Sequence, residues 1–278
     1  MHTPTILDGK AYADQIRGEL AETVRECGLK PCLAIVTVGN DPASKVYVRN
    51  KIRACEQIGI TVEHITFDDA ITEHALIGEI RSLNANSDVH GIIVQLPLPK
   101  HINPDHVTKA IWRSKDVDGF GQDSSFKPCT PEGIIRLLDH HLIPIDGRLV
   151  TVIGRSDIVG KPLARMLLDR NATVAHCHSH TDSTTRDFLV AGSDIVISAT
   201  GHTNIVPAFL CTDKVLVDVG INRDEEGKMC GDFPRYAYDI SNAYTPVPGG
   251  IGPMTVAMLM EHVVQAAIWQ KESNYAKM

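Results

Sequence analysis

Leu149-Val150-Thr151-Val152-Ile153 runs directly into Gly154-Arg155-Ser156-Asp157-Ile158-Val159-Gly160-Lys161-Pro162. The apolar, β-branched run reads as a buried strand. The turn after it carries glycine at both ends, and a helical pattern then continues through Asp169. Strand, glycine turn and helix form the context of a dinucleotide fingerprint, where backbone N–H groups and a helix N-terminus face a pyrophosphate. The spacing here is Gly154-x-Ser156-x-x-x-Gly160 rather than the commoner G-x-G-x-x-G, so a turn without a ligand is the competing reading.

The next strand, Thr173–Cys177, adds information at its end. An NAD-binding unit places Asp or Glu there, on the ribose 2′-hydroxyl. Ala175-His176-Cys177-His178-Ser179-His180 holds no carboxylate, and Arg155 lies beside the turn. Arg and Ser bind a 2′-phosphate that a carboxylate would repel. The reading therefore favours NADP, with NAD as the alternative. His176, His178 and His180 alternate and would share one strand face. Polar strand-end residues near the cofactor are the simpler reading, and no metal site is assigned.

Outward from this unit, apolar runs alternate with helical patterns. Asp194–Ser198 and Val215–Val219 read as further strands after it, and Pro131–His140 as a helix before it. Towards the N-terminus, Leu33–Val38, Ile60–Phe67 and His90–Leu96 read as strands, with helices over Ala43–Ile58 and Glu73–Asn84. Pro42 suits the first turn of the former and Gly59 its end. Thr255–Gln270 is expected to be a final amphipathic helix. Strands separated by helices imply βαβ units and parallel sheets, so the fold class is α/β. The chain of 278 residues suits two domains, with the boundary between Phe120 and Thr130.

Composition narrows the function. Hydrophobic residues make up 43% and charged residues 22%, which fits a globular protein. The net charge of −7 argues against a general nucleic-acid binder. No apolar run in the sequence approaches a membrane span, and Met1 to Lys10 lacks a signal pattern. The seven cysteines are scattered with no CxxC, so reduced thiols in a cytoplasmic protein are expected rather than disulfides or zinc.

In the first half, Ser44, Tyr47 and Lys51 line up on one face of the Ala43–Ile58 helix. A Tyr–Lys pair one turn apart can share a proton, although a solvated face is the plain alternative. YxxxK also marks short-chain dehydrogenases, but there the pair follows the glycine turn, and here it precedes it. Gln95 ends the strand His90–Leu96 just before Pro97 and Pro99, where ligands sit in open parallel sheets. Asp116 and Asp118 alternate before Gly119. Two such carboxylates could take Mg²⁺, and one could grip a paired N–H group bidentately. Pro246-Val247-Pro248-Gly249-Gly250-Ile251-Gly252-Pro253 is the densest Gly/Pro segment and reads as a rigid binding loop.

YVRNK, VQLPLP, KDVDGF, PCTPEG, GRSDIVGKP, DVGIN and TPVPGGIGPMTVAMLM occur in one order along nearly the whole chain. Together they resemble the bifunctional methylenetetrahydrofolate dehydrogenase/cyclohydrolase family. The resemblance implies an N-terminal α/β catalytic domain, residues 1–122 with 253–278, and a Rossmann-like NAD(P)-binding domain, residues 123–252. The C-terminal helix would return to the first domain. It implies NADP-dependent oxidation of 5,10-methylenetetrahydrofolate, then hydrolysis to 10-formyltetrahydrofolate, by a homodimer acting in one-carbon metabolism. By the same resemblance Lys51 activates water, Gln95 orients Lys51, Tyr47 positions the folate and Asp118 binds the pterin. Ser44, Val94, Leu96, Pro248, Gly249, Gly250 and Gly252 would join them around the substrate. Gly154, Arg155, Ser156, Gly160, Ser179 and Ile221 would contact the cofactor.

The sequence also departs from the family pattern. Only Gly121–Lys127 separates Gly119-Phe120 from Pro128, where family members carry a longer stretch. His180 and His202 stand where Lys is common, and Phe233 where Val is usual. Two alternatives stay open: a family member with one efficient activity because of the shortened segment, and a non-catalytic folate- or nucleotide-binding regulator.

Overall fold

The computed structural model describes residues 3–275. The ends of the expected first domain, residues 1–2 and 276–278, lie outside them. From the N-terminus the elements run β1 (Thr5–Ile6), α1 (Gly9–Glu26), β2 (Cys32–Val38), α2 (Pro42–Gln57), β3 (Thr61–Phe67), α3 (Glu73–Ala85), β4 (Gly91–Val94) and α4 (Pro104–Lys109). Then follow α5 (Cys129–His140), β5 (Leu149–Ile153), α6 (Gly160–Leu168), β6 (Thr173–Cys177), α7 (Ser183–Gly192) and β7 (Ile195–Ser198). The chain closes with β8 (Val215–Asp218), β9 (Asn222–Arg223), β10 (Met229–Cys230), α8 (Arg235–Ile240), β11 (Ala243–Tyr244) and α9 (Ile251–Tyr275).

Two compact units result. One comprises Gln15–Cys129 and the segment from Val256 onward. Its sheet is parallel, in the order β3-β2-β4. Leu33, Ile35, Ile92 and Ile93 are completely buried in it, and each contributes roughly 1.5–3 kcal/mol by leaving water. α2 begins where Asp41 accepts from Ser44 N at 2.7 Å, with Pro42 in the first turn. α3 begins where Thr72 accepts from Ala75 N at 3.2 Å. α9 packs so closely on β4 that a Cβ at Gly91 would lie 3.1 Å from Val263.

The other unit runs up to Asp14 and from Thr130 to Thr255. Its six-stranded sheet has the order β1-β11-β8-β7-β5-β6 and is parallel throughout. The N-terminal strand thus belongs to the sheet of the second half, because Thr5 pairs with Ala243 and Ile6 with Tyr244. The sequence assigns residues 1–122 to the first domain. Their first stretch of chain clusters with the second unit because those backbone hydrogen bonds complete its edge.

α9 differs from the expected amphipathic helix. No side chain from Pro253 to Ile268 is exposed, since the helix is covered on every side. Its segment Ile251–Ser273 is long and apolar enough to cross a membrane by length and composition alone, contrary to the expectation from the sequence. Most of that segment is buried within the fold, as in a core helix. The sequence reading also passes over α1. Its buried positions Ala13, Ile16 and Val24 are spaced helically, but they are sparse among charged residues.

Candidate active site

In the unit built on β2, β3 and β4, the site starts from two chain segments. β4 ends at Val94, which is buried, and Gln95 N donates to Val36 O at 2.8 Å. That bond carries the sheet register one residue past the strand and aims the Gln95 side chain over the C-terminal edge. α2 presents Lys51 to the same place, and Lys51 Nζ donates to Gln95 Oε1 at 3.2 Å. Gln95 Nε2 donates to Leu96 O at 2.7 Å, which fixes the end of the amide that faces Lys51. The Leu96-Pro97 peptide is cis.

Asp118 lies within the electrostatic reach of Lys51. Burial pushes its carboxyl above the ordinary carboxylate range, Lys51 and His262 pull it down, and Asp116 pushes it up. Among the described residues no donor is hydrogen-bonded to the Asp118 carboxylate, so its acceptors are unspent. Its backbone is held instead, with Asp118 O accepting from Cys129 N at 3.3 Å. Tyr47 is 45% exposed on the same helix as Lys51, with its ring open to contact. Ser44, half-buried, lies two turns before Lys51, and its N–H is taken by the Asp41 cap.

Asp116 has a local task that the sequence left between magnesium binding and a turn. Its Oδ2 accepts from Gly121 N at 2.8 Å and its backbone O accepts from Ser124 Oγ at 3.0 Å. It therefore ties down the shortened segment Gly121–Lys127. Phe126 at the end of that segment stacks on His262 and Trp269 of α9, with centroids 4.8 and 5.0 Å apart. Among the described residues no group of three His, Cys, Asp or Glu could hold a metal ion.

The second unit carries the glycine turn. Gly154 has φ +119°, and a Cβ there would come 2.5 Å from Ala199 O. A Cβ at Gly160 would meet Gly154 O at 1.9 Å. Both positions therefore need glycine, and the turn brings the start of α6 against the end of β5. Ser156 Oγ accepts from Val159 N and Gly160 N, so this hydroxyl shapes the turn. His176 Nε2 contacts Gly154 O at 2.8 Å, which directs its ring into the backbone. The rings of His178 and His180 meet edge to face. Burial lowers the pKa of His178, and Arg155, His180 and His176 lower it further. The end of β6 thus sets Arg155 and three imidazoles beside exposed Ser179, with no carboxylate from Ala175 to Thr181. These residues fit a nucleotide carrying a 2′-phosphate.

Two buried carboxylates that the sequence reading missed brace the neighbouring loops. Asp232 Oδ2 accepts from Ser198 Oγ at 2.7 Å and from Thr200 N at 2.9 Å, and its Oδ1 accepts from Asn222 Nδ2 at 2.8 Å. Asp218 accepts from Gly220 N, Asp232 N, Phe233 N and the Tyr238 hydroxyl. Burial raises the Asp218 pKa and those hydrogen bonds oppose it. Ile221, 50% exposed, is held between these anchors. The signal in the sequence was an Asp beside a glycine in Gly231-Asp232 and two before one in Asp218-Val219-Gly220, where a Cβ on either glycine would strike the other carboxylate.

Pro248, Gly249, Gly250 and Gly252 also lie in this unit. Val247-Pro248 is cis and Gly249 has φ +112°. The close approach at Gly250 is to the chain itself, since a Cβ there would lie 2.7 Å from Pro246 O. At Gly252 a Cβ would meet nothing within 4 Å, so this position stands open at the start of α9.

A family model described as the tetrahydrofolate dehydrogenase/cyclohydrolase catalytic domain matches residues 7–118. Another, described as the NAD(P)-binding domain of the same family, matches residues 128–271. The bifunctional protein FolD of Agathobacter rectalis is 48% identical, with 94% of this chain and 98% of that protein covered. The bifunctional protein FolD of Magnetococcus marinus is 46% identical, with 94% and 96% covered. The crystal structure of the FolD methylenetetrahydrofolate dehydrogenase/cyclohydrolase from Campylobacter jejuni matches with a TM-score of 0.91 at 42% identity, covering 95% of this chain and 98% of that one. The Trypanosoma brucei dehydrogenase-cyclohydrolase, solved with NADP cofactor and an inhibitor, matches with a TM-score of 0.90 at 32% identity, covering 97% and 99%.

Proposed function

The chain belongs to the tetrahydrofolate dehydrogenase/cyclohydrolase family, and on that premise we propose that it oxidises 5,10-methylenetetrahydrofolate with NADP and hydrolyses the methenyl product to 10-formyltetrahydrofolate. The contact between Lys51 and Gln95, within the field of Asp118, is the observation that carries this reading.

Oxidation removes hydride from the methylene carbon and leaves an amidinium-like cation shared by two folate nitrogens. No base is needed for that step, and the task of the protein is positioning. Asp118 accepts the paired N–H groups of the pterin, a bidentate, charge-assisted contact. Tyr47 lays its ring along the substrate. NADP, when bound, supplies the hydride acceptor. Gly154 and Gly160 open the turn to its phosphates, Arg155 and Ser179 take the 2′-phosphate, and Ile221 packs on the nucleotide.

Hydrolysis adds water to the methenyl carbon, with Lys51 taking the water proton at Nζ as general base. Collapse of the adduct breaks its bond to N5, and that proton passes to N5, leaving the formyl group on N10. The Lys51 N–H to Gln95 Oε1 orients the nitrogen, and the Gln95 bond to Leu96 O prevents the amide from turning over. Ser44, Val94 and Leu96 complete the wall on this side. Pro248, Gly249, Gly250 and Gly252 form the rigid loop of the nucleotide-binding unit that the substrate reading assigns to folate. We assign the folate half to residues 1–122 with 253–278, apart from the N-terminal strand, and the NADP half to residues 123–252.

We read the assembly as a homodimer in the cytoplasm. All seven cysteines are free thiols, as reducing conditions would keep them. Exposed Phe188 and Phe209 lie on contacting elements of the nucleotide-binding unit and offer apolar area to a second copy.

The test is a spectroscopic assay with methylenetetrahydrofolate and NADP, repeated with NAD, and then with methenyltetrahydrofolate alone. Cofactor reduction together with accelerated loss of the methenyl compound supports both steps. Reduction without accelerated hydrolysis supports the single-activity reading. Binding without turnover supports the regulator and overturns the mechanism.

A further inference from the structure

His262 takes no part in the steps above, yet it is 6% exposed in the middle of α9, where a polar ring is costly unless it is hydrogen-bonded. Phe126 covers one face of the imidazole. At its edge, Nδ1 lies 2.8 Å from Val117 O and 3.6 Å from Cys129 Sγ. A carbonyl oxygen only accepts, so the hydrogen sits on Nδ1 and is donated to Val117 O. Cys129 Sγ donates to the same oxygen at 3.2 Å. Two buried side chains from distant parts of the sequence thus converge on one backbone carbonyl.

That carbonyl belongs to the peptide leading into Asp118. Just upstream the chain is fastened to β4, since Ile92 N donates to Lys115 O at 2.8 Å and Ile92 forms a bridge with Asp116. Just downstream, Gly119 N donates to Asp116 O at 3.1 Å, and Asp118 O accepts from Cys129 N. Gly119 turns with φ +72°, and a Cβ there would strike Lys127 O at 2.3 Å, so the chain on that side is tightly seated. The Asp118 carboxylate itself accepts from no donor among the described residues. The direction of its Cβ therefore follows from the two peptides that flank it, and His262 holds one of them.

His262 is also near enough to act on the carboxylate through space. Burial pushes the Asp118 carboxyl up, and Lys51 and then His262 pull it down. Placement matters here because a bidentate contact tolerates little rotation. A carboxylate turned out of line with two N–H groups keeps one bond at most. We propose that His262 is a positioning residue for folate recognition: its Nδ1–H bond to Val117 O aims the Asp118 carboxylate at the paired N–H groups of the pterin. The inference rests on the assignment of Asp118 to the pterin, made above.

Two substitutions separate the donor from the ring. His262→Leu removes the N–H and keeps apolar bulk against Phe126. His262→Asn restores it, because an asparagine amide carries its N–H at the same remove from Cβ as Nδ1. In the Leu variant the KM for methylenetetrahydrofolate should rise about tenfold, as small misplacements at a site produce. The KM for NADP should not change, and kcat should change less than the folate KM. The Asn variant should recover the parental folate KM. Both variants lose the stacked ring, so both should unfold at a lower temperature, and a purely structural role would move KM in both or in neither. In an Asp118→Ala background, which has its own raised folate KM, His262→Leu should add nothing, because the group it aims is gone. If the Leu variant does not fold, His262→Ala makes the same comparison with a smaller side chain.

A parental folate KM in His262→Leu, while Asp118→Ala raises it, overturns the inference and leaves the pterin assignment standing. An Asn variant as impaired as the Leu variant does the same, and so does a His262→Leu penalty that persists in full beside Asp118→Ala. An Asp118→Ala variant with the parental folate KM overturns the assignment of Asp118, and this inference with it.

Discussion

Lys51 Nζ donates to Gln95 Oε1 at 3.2 Å, which joins the middle of a helix to the first residue beyond a strand. Replacing Lys51 by Met keeps the length of the side chain and removes its nitrogen. We expect hydrolysis of the methenyl compound to fall by about 10²-fold or more, the scale of general base catalysis. The unfolding temperature should stay close to the parent value. Loss of methenyl absorbance at the parental rate would sink the assignment of Lys51 as base.

Gln95→Glu tests the partner. A carboxylate beside Lys51 favours the charged amine. The base form would then be reached only at higher pH, so the acid limb of the hydrolysis profile should move upward. Hydride transfer, which needs no base, should suffer less. An unshifted profile would mean that Gln95 acts elsewhere.

Asp118 sets a pH dependence for folate binding. Burial raises its pKa and Lys51 only partly opposes this. The protonated carboxyl cannot accept two N–H groups, so KM for the folate should climb as pH falls, with a break above the ordinary ~4. Asp118→Asn should raise KM by roughly 10- to 100-fold, the worth of a charge-assisted hydrogen bond. A raised pKa in the folded state also means that stability is lost as pH rises through it. The Asn variant should therefore unfold at no lower a temperature than the parent at neutral pH. A variant with unchanged KM would remove Asp118 from the site.

Gly160→Ala addresses the nucleotide side. The added methyl would stand 1.9 Å from Gly154 O, so the turn must open. We expect a loss of about 1–3 kcal/mol on thermal or urea unfolding, as for other forced insertions, and a raised KM for NADP. Gly252→Ala is the control, with no atom within 4 Å of the new methyl group, and should unfold like the parent. Equal behaviour of the two variants would mean that the turn is slack.

Tyr238→Phe removes one donor to Asp218 Oδ2, a bond of 2.7 Å to a buried carboxylate. Asp232 N and Phe233 N remain on the same oxygen. The expected cost is about 1–2 kcal/mol. The lost donor also lets the carboxyl titrate higher, so the deficit should widen as pH rises. A deficit that is flat in pH would locate the effect in packing.

How far the sequence reaches can be judged residue by residue. β5, its turn and α6 are legible because a short apolar run between glycines has few other readings. The facing of Lys51 and Gln95 is legible only through the resemblance, since nothing in local periodicity joins a helix to a strand end in another βα unit. Asp218 and Asp232 stay hidden for a related reason. Their partners come from loops that converge only once the sheet has formed. α9 is misread because an apolar stripe says that one face is buried and cannot say that the other is too. β1 and β11, two residues each, are too short to carry a period.

The edge position of β1 bears on how the protein is made. Thr5 is synthesised well before its partner Ala243. The strand must wait, unpaired, while all the chain between them emerges. Few native contacts in a small protein span so much chain, and closure over such a distance is slow. Translation can finish the three-stranded sheet first, but the six-stranded one cannot be sealed until β11 has emerged. A truncated or stalled product would then expose the raw edge of β8 to its neighbours, an invitation to aggregate.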